Sequence, residues 1–285
     1  TRRSSDLVGR LAFPFIISML VTAFYNMADT FFVGMMDSNA ATGAVGVVFS
    51  MMAIIQAVGF FFGHGSGNFI SRELGKHNLE EASNMAATGF FSALAAGALI
   101  CLAGQIFLTP LASLLGSTET ILPYARDYLR VILLGAPWMT ASLVLNNQLR
   151  FQGSAAYAMV GITSGAVLNI GLDPLLIFVL DMGVAGAAWA TVLSQAASCV
   201  FVLAMLRHRS MPIRLEPDKL SPALMGKVLL FGLTPFLTIS LDSVILIVLN
   251  AVLQSRGGPG TGDTLVSCNT IVQSYMLLIT MPMGG

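Results

Sequence analysis

Charge is the scarcest property of this chain. Only 10% of its 285 residues are Asp, Glu, Lys or Arg, against about 25% in ordinary soluble domains. With 55% hydrophobic residues and a mean hydropathy of +0.81, the shortfall excludes a disordered chain and argues against a soluble globule. The formal net charge is zero, so no basic field exists to recruit nucleic acid. Cysteine is almost absent. Cys101, Cys199 and Cys268 all fall in apolar runs, which suits packing rather than disulfides, and their spacing fits no metal site. Catalytic signatures are missing too. No run holds a Ser/His/Asp constellation, and Gly257-Gly258-Pro259-Gly260 lacks the Lys-Ser/Thr of a phosphate loop. Gly63-His64-Gly65-Ser66-Gly67 is not a dinucleotide fingerprint; its small residues allow close helix packing. Enzyme chemistry and a cofactor are therefore not expected.

What remains is apolar length. Eight runs, at 11–36, 42–70, 83–109, 123–149, 155–180, 184–206, 223–254 and 264–285, each suffice for the roughly 20 helical residues that cross a bilayer core. Backbone polar groups must be satisfied internally in lipid, so the expected fold class is an all-α polytopic membrane protein. The first run is too long for a signal-peptide core and is expected to be a retained helix. Turn formers punctuate the gaps: Asp37-Ser38-Asn39, Gly75-Lys76-His77-Asn78 and Gly153-Ser154. If the N-terminus is cytoplasmic, eleven Lys and Arg fall on inner segments (Arg2, Arg3, Arg10, Arg72, Lys76, Arg150, Arg207, Arg209, Arg214, Lys219, Lys227), and three, Arg126, Arg130 and Arg256, fall outside. That bias favours the N-terminus inside.

A weak internal repeat pairs Pro14-Phe15 with Pro235-Phe236, each after a basic residue, Arg10 or Lys227. It divides the chain into a six-helix unit at 1–206, a cytoplasmic linker at 207–222, and two helices of a second unit at 223–285. The apolar ending at Met281-Pro282-Met283-Gly284-Gly285 is expected to continue in a longer protein.

Against this apolar background, Asp29, Asp173 and Asp242 are conspicuous. A carboxylate in hydrocarbon costs several kcal/mol, so it marks a functional site by default. Asp29 lies eight residues before Asp37, Asp173 eight before Asp181, and Thr191 eight after Gly183. At 1.5 Å per residue all three sit about 12 Å below one membrane face. Asn169 and Asp173 are spaced i, i+4, and Asn26 and Asp29 i, i+3, so each pair shares a helix face. Pro174 lacks an N–H and leaves the carbonyl of Ile170 as a further oxygen. The expected cation or proton site is thus Asp29, Asn169, Asp173 and Thr191. Oxygen-only ligands suit a hard cation, and two close carboxylates can instead share a proton. Interhelical bonding for structure alone is the bland alternative. Asp242, nearer mid-membrane, fits pore lining or packing equally. Tyr25, Asn26, Tyr128 and Asn146 are candidate cavity residues. Sixteen Met and eighteen Phe suit an adaptable lining for bulky amphiphilic compounds, although most of them are expected to face lipid or to pack.

Tyr25-Asn26-Met27-Ala28-Asp29-Thr30-Phe31-Phe32-Val33-Gly34 after Pro14 resembles the first helix of the MATE (multidrug and toxic compound extrusion) family. So do Asn146-Asn147-Gln148-Leu149-Arg150-Phe151-Gln152-Gly153, Asn169-Ile170-Gly171-Leu172-Asp173-Pro174, and Gly183-Val184-Ala185-Gly186-Ala187-Ala188-Trp189-Ala190-Thr191 resemble its later helices. The resemblance implies a twelve-helix antiporter of two six-helix lobes, exchanging Na⁺ or H⁺ for organic, often cationic, drugs. It maps the N-lobe cation site onto Asp29, Asn169, Asp173 and Thr191, and a bending proline onto Pro14. Eight spans against about twelve imply a complete N-lobe and the start of a C-lobe, whose remaining helices would be partners of this chain. A bacterial inner membrane is the expected location. Two other readings stand beside it. A lipid-linked oligosaccharide flippase would need cationic groups in its cavity, and none is expected within a span. A structural membrane protein would use its Asp residues only for folding.

Overall fold

The computed structural model describes residues 2–36, 38–206, 213, 215, 222–257 and 261–283. The longer apolar runs are helices: α1 (Arg2–Gly34), α2 (Asn39–Gly75), α3 (Leu79–Ile106), α5 (Leu122–Phe151), α6 (Ala155–Pro174), α7 (Gly183–Leu206), α8 (Pro222–Gly257) and α9 (Thr261–Met283). A short α4 (Leu108–Leu114), which the apolar pattern did not separate, follows α3. No strand occurs among the described residues. Seven helices are long and apolar enough to cross a membrane among the described residues. The run at 264–285 is helical as α9 but is not one of those seven. The linker at 207–222 lies mostly outside the described residues.

Local chemistry sets the helix ends. The Ser38 hydroxyl accepts from the backbone N–H of Ala41 at 3.2 Å, and the Asn78 side-chain oxygen accepts from Glu81 at 3.3 Å. Both occupy N-cap positions. Glu80 and Glu81 place negative charge in the first turn of α3, where the helix dipole favours it. Gly153, at φ +80°, turns α5 into α6, a conformation that costs glycine little.

The connections alternate between two ends of the bundle. One end holds Arg72, Lys76, Arg150 and Lys227 near the α2–α3 and α5–α6 turns and the start of α8, and is called the basic end below. The opposite end holds the α1–α2, α6–α7 and α8–α9 connections. α2 is central and packs against α3, α5, α8 and α9. Its Gly59, Gly63 and Gly67 repeat every four residues and meet Leu143, Asn147 and Phe151 of α5. A Cβ on Gly67 would lie 2.1 Å from the Phe151 ring. Gly65 backs onto the Val228 carbonyl of α8, and Gly232 of α8 onto the Phe61 carbonyl of α2. Small residues thus bring backbones together where no hydrophobic force drives helix association. Toward the basic end the α2–α8 seam carries reciprocal cation–π contacts. Lys227 sits 4.5 Å from the Phe69 ring centroid and Arg72 6.0 Å from that of Phe231. The three cysteines are unpaired. Cys199 is buried and Cys101 half-buried, whereas Cys268 is exposed rather than packed.

Candidate functional site

Three helices carry the four oxygen-bearing residues to one depth. α1 and α6 rise from the basic end and pack together; α7 descends beside α6. Gly161, Gly165, Asn169 and Asp173 follow one another every four residues along the buried face of α6. Thr191, Ser194 and Ser198 form the facing row on α7. α6 ends at Pro174: the Leu175 N–H reaches back to the Leu172 carbonyl, and the chain passes into a π turn over Leu175–Val179. This local break follows from the missing proline N–H. Pro14, in contrast, lies inside an unbroken α1, with its carbonyl accepting from the Ser18 hydroxyl at 2.8 Å.

The candidate cation residues are buried and adjacent. Asp29 is 2% exposed and Asp173 0%, and their charges lie within electrostatic reach of each other. The Asn169 amide donates to the Thr191 hydroxyl at 3.4 Å. The Tyr128 hydroxyl of α5 donates to Asp29 Oδ2 at 2.9 Å. The other carboxylate oxygens behave differently. Asp29 Oδ1, both Asp173 oxygens and Asn169 Oδ1 are buried with no hydrogen-bond partner among the described residues. Orphaned acceptors of this kind are costly, and a carboxylate without a neutralising group costs more. The set suits a ligand that brings positive charge or donated protons. No group of three or more His, Cys, Asp or Glu that could hold a metal is found among the described residues. Two carboxylates with amide and hydroxyl oxygens form a hard-oxygen set.

Below these residues, toward the basic end, lies a cavity of about 90 Å³, ample for several waters. Its walls include Asn169, Thr191, Ser194, Gln195, Asn146 and Tyr25. Tyr25 has Gln195 and Asn26 as polar neighbours.

The other expected cavity residues divide. Tyr25 and Asn146 line this cavity. Tyr128 does not: it is fully buried between helices and serves Asp29. Asn26 is buried beside the cavity, its amide donating to the Thr22 carbonyl one turn back at 3.0 Å. Asp242 is exposed on α8, whereas the neighbouring Ser243 is buried. It belongs to no cluster with the other acids. One expectation fails outright. Arg150 lies in the last turn of α5 and lines the cavity, so a cationic group does stand within a spanning helix. α5 runs two residues past the expected boundary at 149, with Gly153 and Ser154 forming the turn. Ser194, Gln195 and Ser198 were not singled out from sequence, although the spacing 191, 194, 198 is a one-face helical signal.

A family model described as MatE matches residues 14–175. A multidrug export protein MepA of Staphylococcus haemolyticus (strain JCSC1435) is 29% identical over 273 residues, covering 95% of this chain and 60% of that protein. MepA of Staphylococcus aureus (strain MRSA252) is 27% identical over 246 residues, covering 86% and 54%. A solved structure of the MATE multidrug transporter DinF-BH is 33% identical, with a TM-score of 0.91, covering 98% of this chain and 62% of that one. The inward-facing conformation of a multidrug resistance MATE family transporter superimposes with a TM-score of 0.84 at 28% identity, over 97% and 62%. The chain spans between 54% and 62% of the length of these relatives.

Proposed function

The chain belongs to the MatE family, and on that basis we propose that the protein is a cation-coupled antiporter that exports organic, often cationic, compounds across a bacterial inner membrane. One observation carries the reading. Asp29 and Asp173 are buried within electrostatic reach of each other inside membrane-length helices, with three carboxylate oxygens unpartnered among the described residues. Paired carboxylates of this kind can exist loaded or unloaded, with Na⁺ or H⁺ as the transported ligand, and a coupling site requires that choice. Asp29, Asp173, Asn169 and Thr191 hold the cation. The cavity walled by Tyr25 and Asn146 accepts part of the exported compound.

The N-terminus and the basic end face the cytoplasm. Residues 1–206 form the N-lobe, 207–222 a cytoplasmic linker, and 223–285 the first helices of the C-lobe. Pro14, inside α1, and Pro174, where α6 ends, are the positions at which these segments bend during transport.

The test is transport by the full-length protein carrying Asp29→Asn or Asp173→Asn. Dye efflux is driven by an imposed Na⁺ or H⁺ gradient in proteoliposomes. Both variants are expected to insert normally and to lose gradient-driven efflux. Unchanged efflux in both would remove the site. The gradient that drives the unmodified protein identifies the ion.

Arg150 in the cavity wall favours a second reading, export of compounds with an anionic group such as a lipid-linked phosphate. Loss of binding of an anionic lipid-linked substrate in Arg150→Gln, with cationic dye efflux absent in both forms, would select it.

A further inference from the structure

The oxygen-lined seam does not stop at the carboxylates. On α6 the row Asp173, Asn169 gives way to Gly165 and Gly161, which have no side chains to close the groove. A Cβ on Gly165 would lie 3.1 Å from the Ser198 Cβ and 3.3 Å from the Ser194 carbonyl. One on Gly161 would lie 3.3 Å from Asn146 Oδ1. The glycines therefore let α7 and the Asn146 side chain of α5 approach α6 closely. The Ser198 hydroxyl donates to the Gly161 carbonyl at 2.9 Å, which pins the far end of the groove. Asn146 donates its amide to the Ser142 carbonyl at 2.8 Å, so its Oδ1 is turned away from its own helix.

Three acceptors along this seam are stranded. Asn169 Oδ1, Ser194 Oγ and Asn146 Oδ1 are buried with no partner among the described residues, and their residues are 1%, 3% and 3% exposed. All three residues line the same cavity, which has room for water. They descend in order from the carboxylates to the basic end, because α6 and α7 are antiparallel and α5 runs beside them. Stranded acceptors spaced along a wet cavity offer replacement ligands to a cation shedding its hydration, or anchors for a water chain that carries a proton.

We propose that this seam is the path by which the coupling cation leaves the Asp29–Asp173 pair for the cytoplasm, with Ser194 and Asn146 as its intermediate oxygen ligands. The proposal rests on the reading of the carboxylate pair given above. Neutral oxygens suit a way station, since a conducting site must bind weakly enough to release. Arg150 lines the same cavity beyond Asn146, so the path passes a cationic side chain before its exit, which keeps the cation's stay short.

The test compares binding with turnover in the full-length protein. Ser194→Ala removes one oxygen at nearly constant volume, Asn146→Leu removes the other in a larger side chain of the same branching, and Ser194→Thr keeps a hydroxyl. In detergent, Na⁺ and proton binding by the double variant are expected to stay within about twofold of the unmodified protein, and any loss of dye affinity to be smaller than the loss of turnover. In proteoliposomes, its gradient-driven dye efflux is expected to fall by about tenfold or more, two oxygen ligands of the cation being lost, while Ser194→Thr stays near normal. Normal turnover in the double variant overturns the path. So does a loss of dye affinity that matches the loss of turnover, since the oxygens would then serve the exported compound. If Asn146→Leu does not fold, Ser194→Ala against Ser194→Thr decides by the same two readouts. Asp29→Asn separates the two proposals: cation binding retained there removes the carboxylate site and the path with it, whereas binding lost there with normal turnover in the double variant removes only the path.

Discussion

The Asp29 carboxylate accepts one hydrogen bond among the described residues. Its Oδ2 accepts from the Tyr128 hydroxyl at 2.9 Å, and Tyr128 is itself fully buried. The arrangement leaves Oδ1 buried and without a partner among the described residues. Hydrogen bonds to charged groups contribute about 1.5–3 kcal/mol. Tyr128→Phe keeps the ring and removes the donor, so the cation concentration needed for half-maximal dye efflux should shift by about tenfold or more. An unshifted concentration dependence would mean that Tyr128 only packs. Thr191→Val is the matching change on α7. It strands the Asn169 amide, which now donates to the Thr191 hydroxyl, and should lower stability by about 1–3 kcal/mol, read as a lower unfolding midpoint in detergent.

At the scale of the helix, the α2–α8 seam depends on absent side chains more than on charged ones. A Cβ on Gly232 would lie 2.1 Å from the Phe61 backbone carbonyl, and a backbone atom cannot rotate away. Gly232→Ala should therefore cost about 1–3 kcal/mol by overpacking. Lys227→Gln removes a cation–π contact at an exposed lysine and should cost only about 0.5–1 kcal/mol. Gly226, one residue before Lys227, has nothing within 4 Å of the place an added Cβ would occupy. Gly226→Ala should stabilise α8 by up to about 1 kcal/mol. Thermal unfolding of the three variants is expected to rank them in that order, and a Gly232→Ala protein as stable as Gly226→Ala would contradict the close crossing.

For the whole molecule, the proposed orientation rests on charge bias, and labelling from the two sides tests it. His77 is exposed in the turn after α2 at the basic end, and Glu119 is exposed between α4 and α5 at the other. With Cys101, Cys199 and Cys268 replaced by Ser, His77→Cys should react with an impermeant thiol reagent only from the cytoplasmic side. Glu119→Cys should react only from outside. The reverse pattern would invert the topology and with it the direction of the proposed release path. The exposed leucines of α8, such as Leu230 and Leu241 at 71% and 62%, fit a surface facing lipid or further helices.

The helices and the depth of the site were legible in the order of residues alone. Spans can be read from composition because lipid penalises every unpaired backbone group, which forces long apolar runs into helices. Depth can be read because helical rise is constant, so equal spacing from Asp37, Asp181 and Gly183 puts Asp29, Asp173 and Thr191 at one level. Azimuth cannot be read in the same way. Whether Tyr128 faces the cavity or Asp29, whether Asp242 turns inward, and whether Arg150 reaches the cavity depend on which neighbour each helix rotates toward. In a chain that is apolar on nearly every face, no amphipathic stripe announces that rotation. Packing settles it, through glycines at Gly161, Gly165 and Gly232 that allow particular faces to touch, and those contacts set which polar atoms meet and which are left stranded.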